Sequence, residues 1–523
     1  MGRRGFSWRY CECAAVAAII VMVGCGGSDP TIGEVIGPSG AAGSTGGTGA
    51  AGADPSGTAG VTGSAGVTGT AGDTGAAGTP GSAGTTGSAG TTGTGGSGVA
   101  QSGCADLFDP GVLQTYSIEI SADEFAKMDA EFHDVQAVLA AMPRETYHPV
   151  TFHFGSETVG DAAVRLKGQS SWVETVMFDP NPKMQMVIAF DQFDPHGRFH
   201  GVDKIHLDMP RSDWSFLNER MANTWFREIG LMAPCSNSAR LNVNGAYYGL
   251  YTAEESKDAT LVSTFFPGNA GGDLFKGGVD AETNKAAPNW ARLKQFWAAK
   301  DIAAIAQIVD LPSTVLEWAA EAAINDADGY YGGSHNFYLY DLGAAGYTWL
   351  PSDVDTTFEW TELFSHLSFK QHPIYWWEGQ SGPQTPGQHY VVVMNDPTWR
   401  ARYAQAVATQ IGKWNTAELL GRVDAWSAQI ATAVAEDPRK WATTAGFNMA
   451  LADLRDVITN RPIYLQSFVA CEQGQGGEDK DGDGVAWCND CRDDNAAVHP
   501  GAPEICGNGI DDDCNGAVDD GCP

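Results

Sequence analysis

Apolar and polar positions alternate along the first half of the folded region and follow helical spacing along the second. "TYSIEI" and "HPVTFHF" step between apolar and polar residues with the period of half-buried strands. "DAAVRLKGQSS", "KMQMVIAF", "SARLNVNGAYYGLYTAEE" and "GDLFKGG" continue that pattern, and the pair Asn244-Gly245 marks a tight hairpin. "SDWSFLNERMANTWFREIG" predicts a helix capped by Ser212, because Phe216, Met221 and Trp225 recur at helical spacing. From "STVLEWAAEAAIND" onward helical periodicity dominates, with one interruption. "HNFYLYDLGAAGYTWLPSDVD", His335 to Asp355, reads as two short strands around a glycine-containing turn. The pattern predicts an α+β fold, a sheet-rich N-terminal half followed by a mainly helical C-terminal half.

Composition divides the 523 residues into four parts. Residues 1–25 carry Arg3, Arg4 and Arg9, an apolar run over 14–23, and then Gly24-Cys25, the layout of an export signal too short for a membrane span. "MVGC" resembles a bacterial lipobox, which makes Cys25 the candidate lipid-bearing residue, with ordinary cleavage as the alternative. "RRGF" hints at twin-arginine export. Residues 26–103 are dominated by Gly, Ala, Ser and Thr and contain no Lys or Arg. Glycine falls on every third position over 57–93, but that register holds only Pro80, so a flexible spacer fits better than collagen. Residues 104–470 have globular composition and are long enough for a two-lobed core. Residues 471–523 hold 14 acids against Lys480 and Arg492. The formal charge of −33 argues against nucleic acid as a partner, and it means a phosphate-bearing ligand needs local cations or a metal.

The tail carries Cys471, Cys488, Cys491, Cys506, Cys514 and Cys522. In an exported, Cys-dense module these are expected to pair as disulfides rather than bind zinc, with a connectivity the spacing leaves open. "DKDGDG" sets Asp479, Asp481 and Asp483 at alternate positions before Gly484, and "DDDCNG" sets Asp511, Asp513 and Asn515 likewise before Gly516. Hard oxygens at that spacing suit Ca2+. The Glu that ends an EF-hand loop is missing from both, and Asp490 stands there in the first. The run through "HPGAPEICGNGIDDDCNGAVDD" resembles the MopE-type metal-binding repeat found at the C-termini of exported myxobacterial proteins.

"VRLKGQSS", "PKMQMVIAF", "NVNGAYYGLYTAEE", "LFKGG", "NFYLY" and "PSDVDTTF" together resemble the spore-coat CotH kinase family in order and spacing, over about 107–468. The resemblance implies an atypical protein-kinase-like fold that transfers phosphate from ATP to serine on secreted or coat proteins. Such transfer needs cations at the phosphates, oxygens on Mg2+ or Mn2+, and a carboxylate near the attacking hydroxyl. Lys183 is the first candidate for the phosphate contact, with Lys167 and Lys276 as rivals, and Glu255 as the acid that orients a lysine. Asp328 is the candidate catalytic base, with Asp326 a close alternative. Asn336 with Asp353 or Asp355 would hold the metal, and His335 reads as structural, orienting the loop. No G-x-S-x-G elbow supports a serine hydrolase.

The chain departs from the family pattern at Ser352, where members commonly read Trp, and at Glu359, near where they commonly read Gly. No G-x-G-x-x-G loop covers the phosphate site. Two functions therefore compete: an exported, lipid-anchored kinase acting on surface proteins, and a non-catalytic cell-surface or adhesion protein with a calcium-stabilised tail.

Overall fold

The computed structural model describes residues 104–139, 146–209, 211–326, 328–358, 387–515 and 518–522. The export signal, Cys25, the whole spacer, Glu359 and Gly516 fall outside these residues. Among the described residues no helix is long and apolar enough to cross a membrane.

Seven strands close a barrel in the order β1-β2-β3-β4-β5-β7-β6. They are β1 (Gln114–Ile120), β2 (His148–Phe154), β3 (Glu157–Leu166), β4 (Met186–Ala189), β5 (Lys204–Asp208), β6 (Ser236–Val243) and β7 (Ala246–Glu255). Neighbours run antiparallel except β1 and β6, which close the barrel in parallel from Gln114↔Ala239 to Ile118↔Val243. The alternation that predicted strands places Tyr116, Ile118, Phe152, Val164, Ile188, Leu207 and Leu241 in one fully buried core. Asn244 and Gly245 both take positive φ, as a type I′ hairpin between twisted strands requires.

One predicted strand segment and one predicted helix start fold differently. "KGQSS" does not extend β3: Gly168, at φ +93°, turns the chain into a helix over Ser170–Phe178. The predicted helix at Ser212 begins only at Asn218 and runs to Ile229, closing on Gly230 in the left-handed conformation. Ser212 leaves the cap because its hydroxyl donates instead to Asp355 at 2.8 Å. Asp213 organises the turn in its place, accepting from the backbone N–H groups of Ser215, Phe216 and Asn218.

A second sheet, ordered β11-β10-β8-β9, joins β8 (Leu274–Lys276) and β9 (Asp280–Ala281) to the hairpin β10 (Phe337–Asp341) and β11 (Tyr347–Pro351). The helices Leu311–Ala323, Pro397–Lys413, Thr416–Glu436 and Thr444–Glu472 build the rest of the C-terminal half. Mixed architecture with the sheet-rich half first is the expected α+β arrangement. Among the described residues four disulfides form: Cys104–Cys235 staples the start of the folded region to the barrel, and the tail pairs Cys471–Cys488, Cys491–Cys514 and Cys506–Cys522. Cys488 and Cys491 thus bond different partners, which removes the zinc reading of "CNDC".

His389 buttresses the C-terminal half. It is wholly buried, its Nε2 meets the Phe296 carbonyl at 2.9 Å, and Tyr330 donates its hydroxyl to Nδ1 at 2.9 Å. Both contacts suit a neutral ring, and burial lowers its pKa to about 4. The unfolded chain, whose histidines titrate near about 6.5, binds more protons than the fold between those values. The His389 contribution to stability is therefore complete above that range and falls with acid, by about 2 kcal/mol between about pH 7 and pH 5. Urea unfolding of the unmodified chain and of His389→Gln checks this, since the variant should lose most of that slope.

Candidate functional site

Two banks of charged side chains meet where the end of the barrel faces the hairpin. On the barrel side, Lys167 follows β3 and pairs with Asp208, the last residue of β5. Burial opposes the Lys167 charge, but Asp208, Asp353 and Glu219 outweigh it and hold the ammonium above its ordinary pKa. Glu219 enters from the first turn of the helix Asn218–Ile229, and Glu254 from β7. Glu254 accepts from the Asn223 amide and sits 3.3 Å from Lys257. Carboxylate oxygens of Asp208, Glu219 and Glu254 come within 4.8 Å of one another, all buried. Crowding of that kind has a direct electrostatic result: burial first, then Glu254 and Asp208, push Glu219 well above the carboxylate range.

The opposite bank comes from two loops. Asp328 accepts from the Asn336 amide at 2.8 Å and lies 3.2 Å from His335 Nδ1. By donating to Asp328, Asn336 keeps its amide oxygen as the atom it can offer to a cation. The hairpin pairs Phe337↔Pro351 through Asp341↔Tyr347. Ser352 N–H donates to the Asn336 carbonyl at 3.0 Å, so Asp353 follows immediately beside Asn336. Asn325, Ser334, Asn336 and Asp353 all have φ between 56° and 62°. Asn and Asp tolerate this conformation best, and its concentration in two short loops is characteristic of sites that hold side chains in fixed directions.

Asp353 is where the banks meet. It is exposed, yet its charge acts on Lys167, Glu219 and Lys276 on one side and on Asp326, His335 and Asp355 on the other. Asp355 is more confined: Ser212 donates to its carboxylate and the Asn218 amide to its carbonyl, at 3.3 Å. Burial and then Asp353 push its carboxyl well upward. Asp326 is fully buried and neither of its carboxylate oxygens has a hydrogen-bond partner. Burial, followed by Glu321, Asp328 and Asp353, raises it well above its ordinary range. That environment suits a protonated carboxyl, which disfavours Asp326 as the base and leaves Asp328, half-buried and facing His335 and Asn336, better placed.

Of the sequence candidates, Lys167, Lys276, Asp328, Asn336, Asp353 and Asp355 are gathered here. Lys183 and Glu255 are not. Lys183 is fully buried and pairs with Asp437 at 2.5 Å, between the Tyr251 and Trp441 rings. It joins a barrel-side segment to the chain that follows the helix Thr416–Glu436, where no phosphate reaches it. Glu255 accepts from the Cys235 N–H at 3.2 Å, because the pleat turns it to the opposite face from Glu254. Asp208, Glu219, Glu254 and Lys257 escaped the sequence reading, since no local pattern separates them from surface charges. Glu317 and Glu321 did leave a signal: "LEWAAEAA" places two acids one turn apart in an otherwise apolar helix, and both are buried beside Asp326.

Asn336, Asp353 and Asp355 offer an amide oxygen and two carboxylates from the turns at the open end of the hairpin, while buried oxygens of Asp208 and Glu219 stand without hydrogen-bond partners. Hard oxygens of this kind are what a divalent cation needs. In the tail, Asp479, Asp481 and Asp483 bring carboxylate oxygens within 4.8 Å of each other, as the alternate spacing anticipated. The second loop gathers differently: Asp513 meets Glu504 and Asp520, while Asp511 accepts from the Asn515 N–H at 3.1 Å and stays outside that group. Asn515 reaches the group through Asp520, to which its amide donates at 3.2 Å.

A family model described as CotH kinase protein matches residues 164–465, more than half of the chain and all six candidate residues gathered in the central site. A MopE-type metal-binding motif matches residues 490–520. No curated protein matches the chain significantly.

Proposed function

The chain belongs to the CotH kinase family, and from that premise we propose that it is an exported protein kinase using ATP and magnesium or manganese to phosphorylate serine on surface or secreted proteins. The observation that carries this reading is the position of Asp353, facing Lys167 across the junction of barrel and hairpin with Asn336 beside it. Bound Mg-ATP supplies the phosphoryl group and the charge neutralisation that its transfer requires. Lys167, kept charged by Asp208 and Glu219, attracts the phosphates, and Lys276 adds a second positive group. Asn336, Asp353 and Asp355 hold the metal. Asp328 takes the proton of the attacking hydroxyl, with its carboxylate oriented by His335 and Asn336. Burial of Asp208, Glu219 and Glu254 around Lys167 holds that bank in place and limits water there.

The export signal, the lipid on Cys25 and the spacer place this domain on a cell surface or outer membrane in the same proposal, with the tail binding metal as calcium. Incubating the purified protein with γ-labelled ATP, an acceptor protein and Mg2+ or Mn2+ tests the kinase assignment. Label on acceptor serine, dependent on the metal, is expected. Nucleotide binding without transfer, or neither, would instead support a non-catalytic surface scaffold.

A further inference from the structure

We propose that Asp479, Asp481, Asp483 and Asp490 form one calcium site whose loading braces the helical half of the kinase domain. The proposal rests on the calcium reading of the tail and is independent of catalysis. Apart from Asp490, these residues precede the matched metal-binding motif at 490–520. Asp490 stands twelve positions into the loop counting Asp479 as the first, where calcium loops close with an acid.

The loop alone would be an acidic turn; Asp490 makes it a site. Its side chain is 1 % exposed, its Oδ1 accepts from the Arg492 N–H at 2.8 Å, and its Oδ2 is buried with no hydrogen-bond partner. The charges of Asp483, Asp481 and Asp493 act on it, although its oxygens stand outside the 4.8 Å group that Asp479, Asp481 and Asp483 make. Buried oxygens of Asp481 and Asp483 also stand without partners. Lys480 does not neutralise this group, because it pairs with Asp493 at 3.2 Å. A carboxylate withdrawn from water towards other carboxylates is costly unless a cation joins them. Four acids on a loop suit the larger, flexible calcium shell better than the octahedron magnesium demands.

What fixes Asp490 is covalent. Cys488 and Cys491 flank it, bonded to Cys471 and Cys514. Cys471 lies in the last turn of the helix Thr444–Glu472, and the next residue, Glu472, pairs with Arg400 of the helix Pro397–Lys413 at 2.8 Å. Arg400 also donates to the Cys488 carbonyl at 2.7 Å. All four cysteines share one apolar core with Tyr403, Leu465, Phe337 and Trp349, so this core reaches the hairpin beside Asn336 and Asp353. Closing the loop on calcium therefore restrains the ends of two helices in the kinase domain, through linkage between binding and local opening.

The test uses the full chain with disulfides intact, stripped of metal and then titrated with CaCl2. Calorimetry follows binding, and hydrogen exchange follows the helices Pro397–Lys413 and Thr444–Glu472. Calcium should slow exchange near the ends of both helices by roughly tenfold, and Asp490→Asn should abolish that slowing. Asp481→Asn, on a half-buried turn position, should reproduce the loss if Asp490→Asn proves poorly folded. Glu504→Gln with Asp513→Asn, in the second group, should leave the slowing intact. Equal slowing in the wild type and both loop variants would overturn the site. Calcium binding without any slowing in the wild type would overturn the bracing, and equal slowing by magnesium alone would overturn the choice of ion. Failure of the kinase assignment would appear only as absent label transfer, with the exchange result unchanged.

Discussion

Asp353→Asn should reduce metal-dependent transfer of phosphate from ATP by about 10²–10³-fold, the range lost when one pre-aligned electrostatic group is removed from a site. The substitution removes charge while keeping a residue that tolerates the left-handed backbone at φ 56°. Asp353 is exposed, so the fold does not depend on its burial. Its charge acts on Lys167 and Lys276 together, so its loss disturbs both the metal position and the balance around the phosphate-facing lysines. Asp355→Asn should behave differently. The Ser212 hydroxyl already donates to that carboxylate and Asn218 to the neighbouring carbonyl, so the change strains the entry to the helix Asn218–Ile229 as well. Label transfer, nucleotide affinity and melting temperature measured on both variants separate the roles. Full activity in Asp353→Asn beside a folded but inactive Asp355→Asn would transfer the leading metal role to Asp355.

Asp437→Ala should destabilise the domain by about 3–5 kcal/mol, the cost of leaving one member of a buried ion pair without its partner. Asp437 accepts from Lys183 Nζ at 2.5 Å and from the Leu250 N–H at 2.9 Å, so truncation strands a buried charge and a buried donor together. The pocket is built closely around the lysine: a Cβ at Gly249 would meet Lys183 Cε at 2.7 Å. Replacing both partners by apolar residues, Lys183→Met with Asp437→Leu, should recover much of the loss, because no charge is then left in the interior. Urea unfolding gives the energies. A cost below about 1 kcal/mol for Asp437→Ala would place the pair among surface-type ion pairs. Label transfer in the double variant is expected to persist, since Lys183 lies away from the site; loss of transfer from a folded double variant would return Lys183 to the phosphates.

The hairpin was the most legible part of the site. Its alternation, its Gly-containing turn and the polar residues at its open end pointed to a pairing that now extends from Phe337↔Pro351 to Asp341↔Tyr347. The lysine was not legible. Lys167, Lys183 and Lys276 all sit in strand-like runs, and only barrel closure decides that the end of β3 meets Asp208 while Lys183 turns inward to Asp437. Glu254 and Glu255 illustrate the same limit at one residue: a single step along a strand reverses the face, and the register that sets it comes from β5 and β6. Glu219 was hidden because nothing local separates it from a surface charge, and only the fold brings it beside Asp208 and Glu254.

By itself, the sequence determined what period and composition encode: the α+β order, the Asn244-Gly245 turn, the hairpin, the family motifs, and a Cys- and Asp-rich tail. These are short-range properties, set by the φ/ψ preferences of neighbouring residues and by which face of one element is apolar. Tertiary structure alone decided which charges share a site, which cysteines pair, and which lysine is buried. Those outcomes depend on desolvation and on distances between residues far apart in the chain, and a Lys, Asp or Glu carries no local mark of the partner that will stabilise its charge.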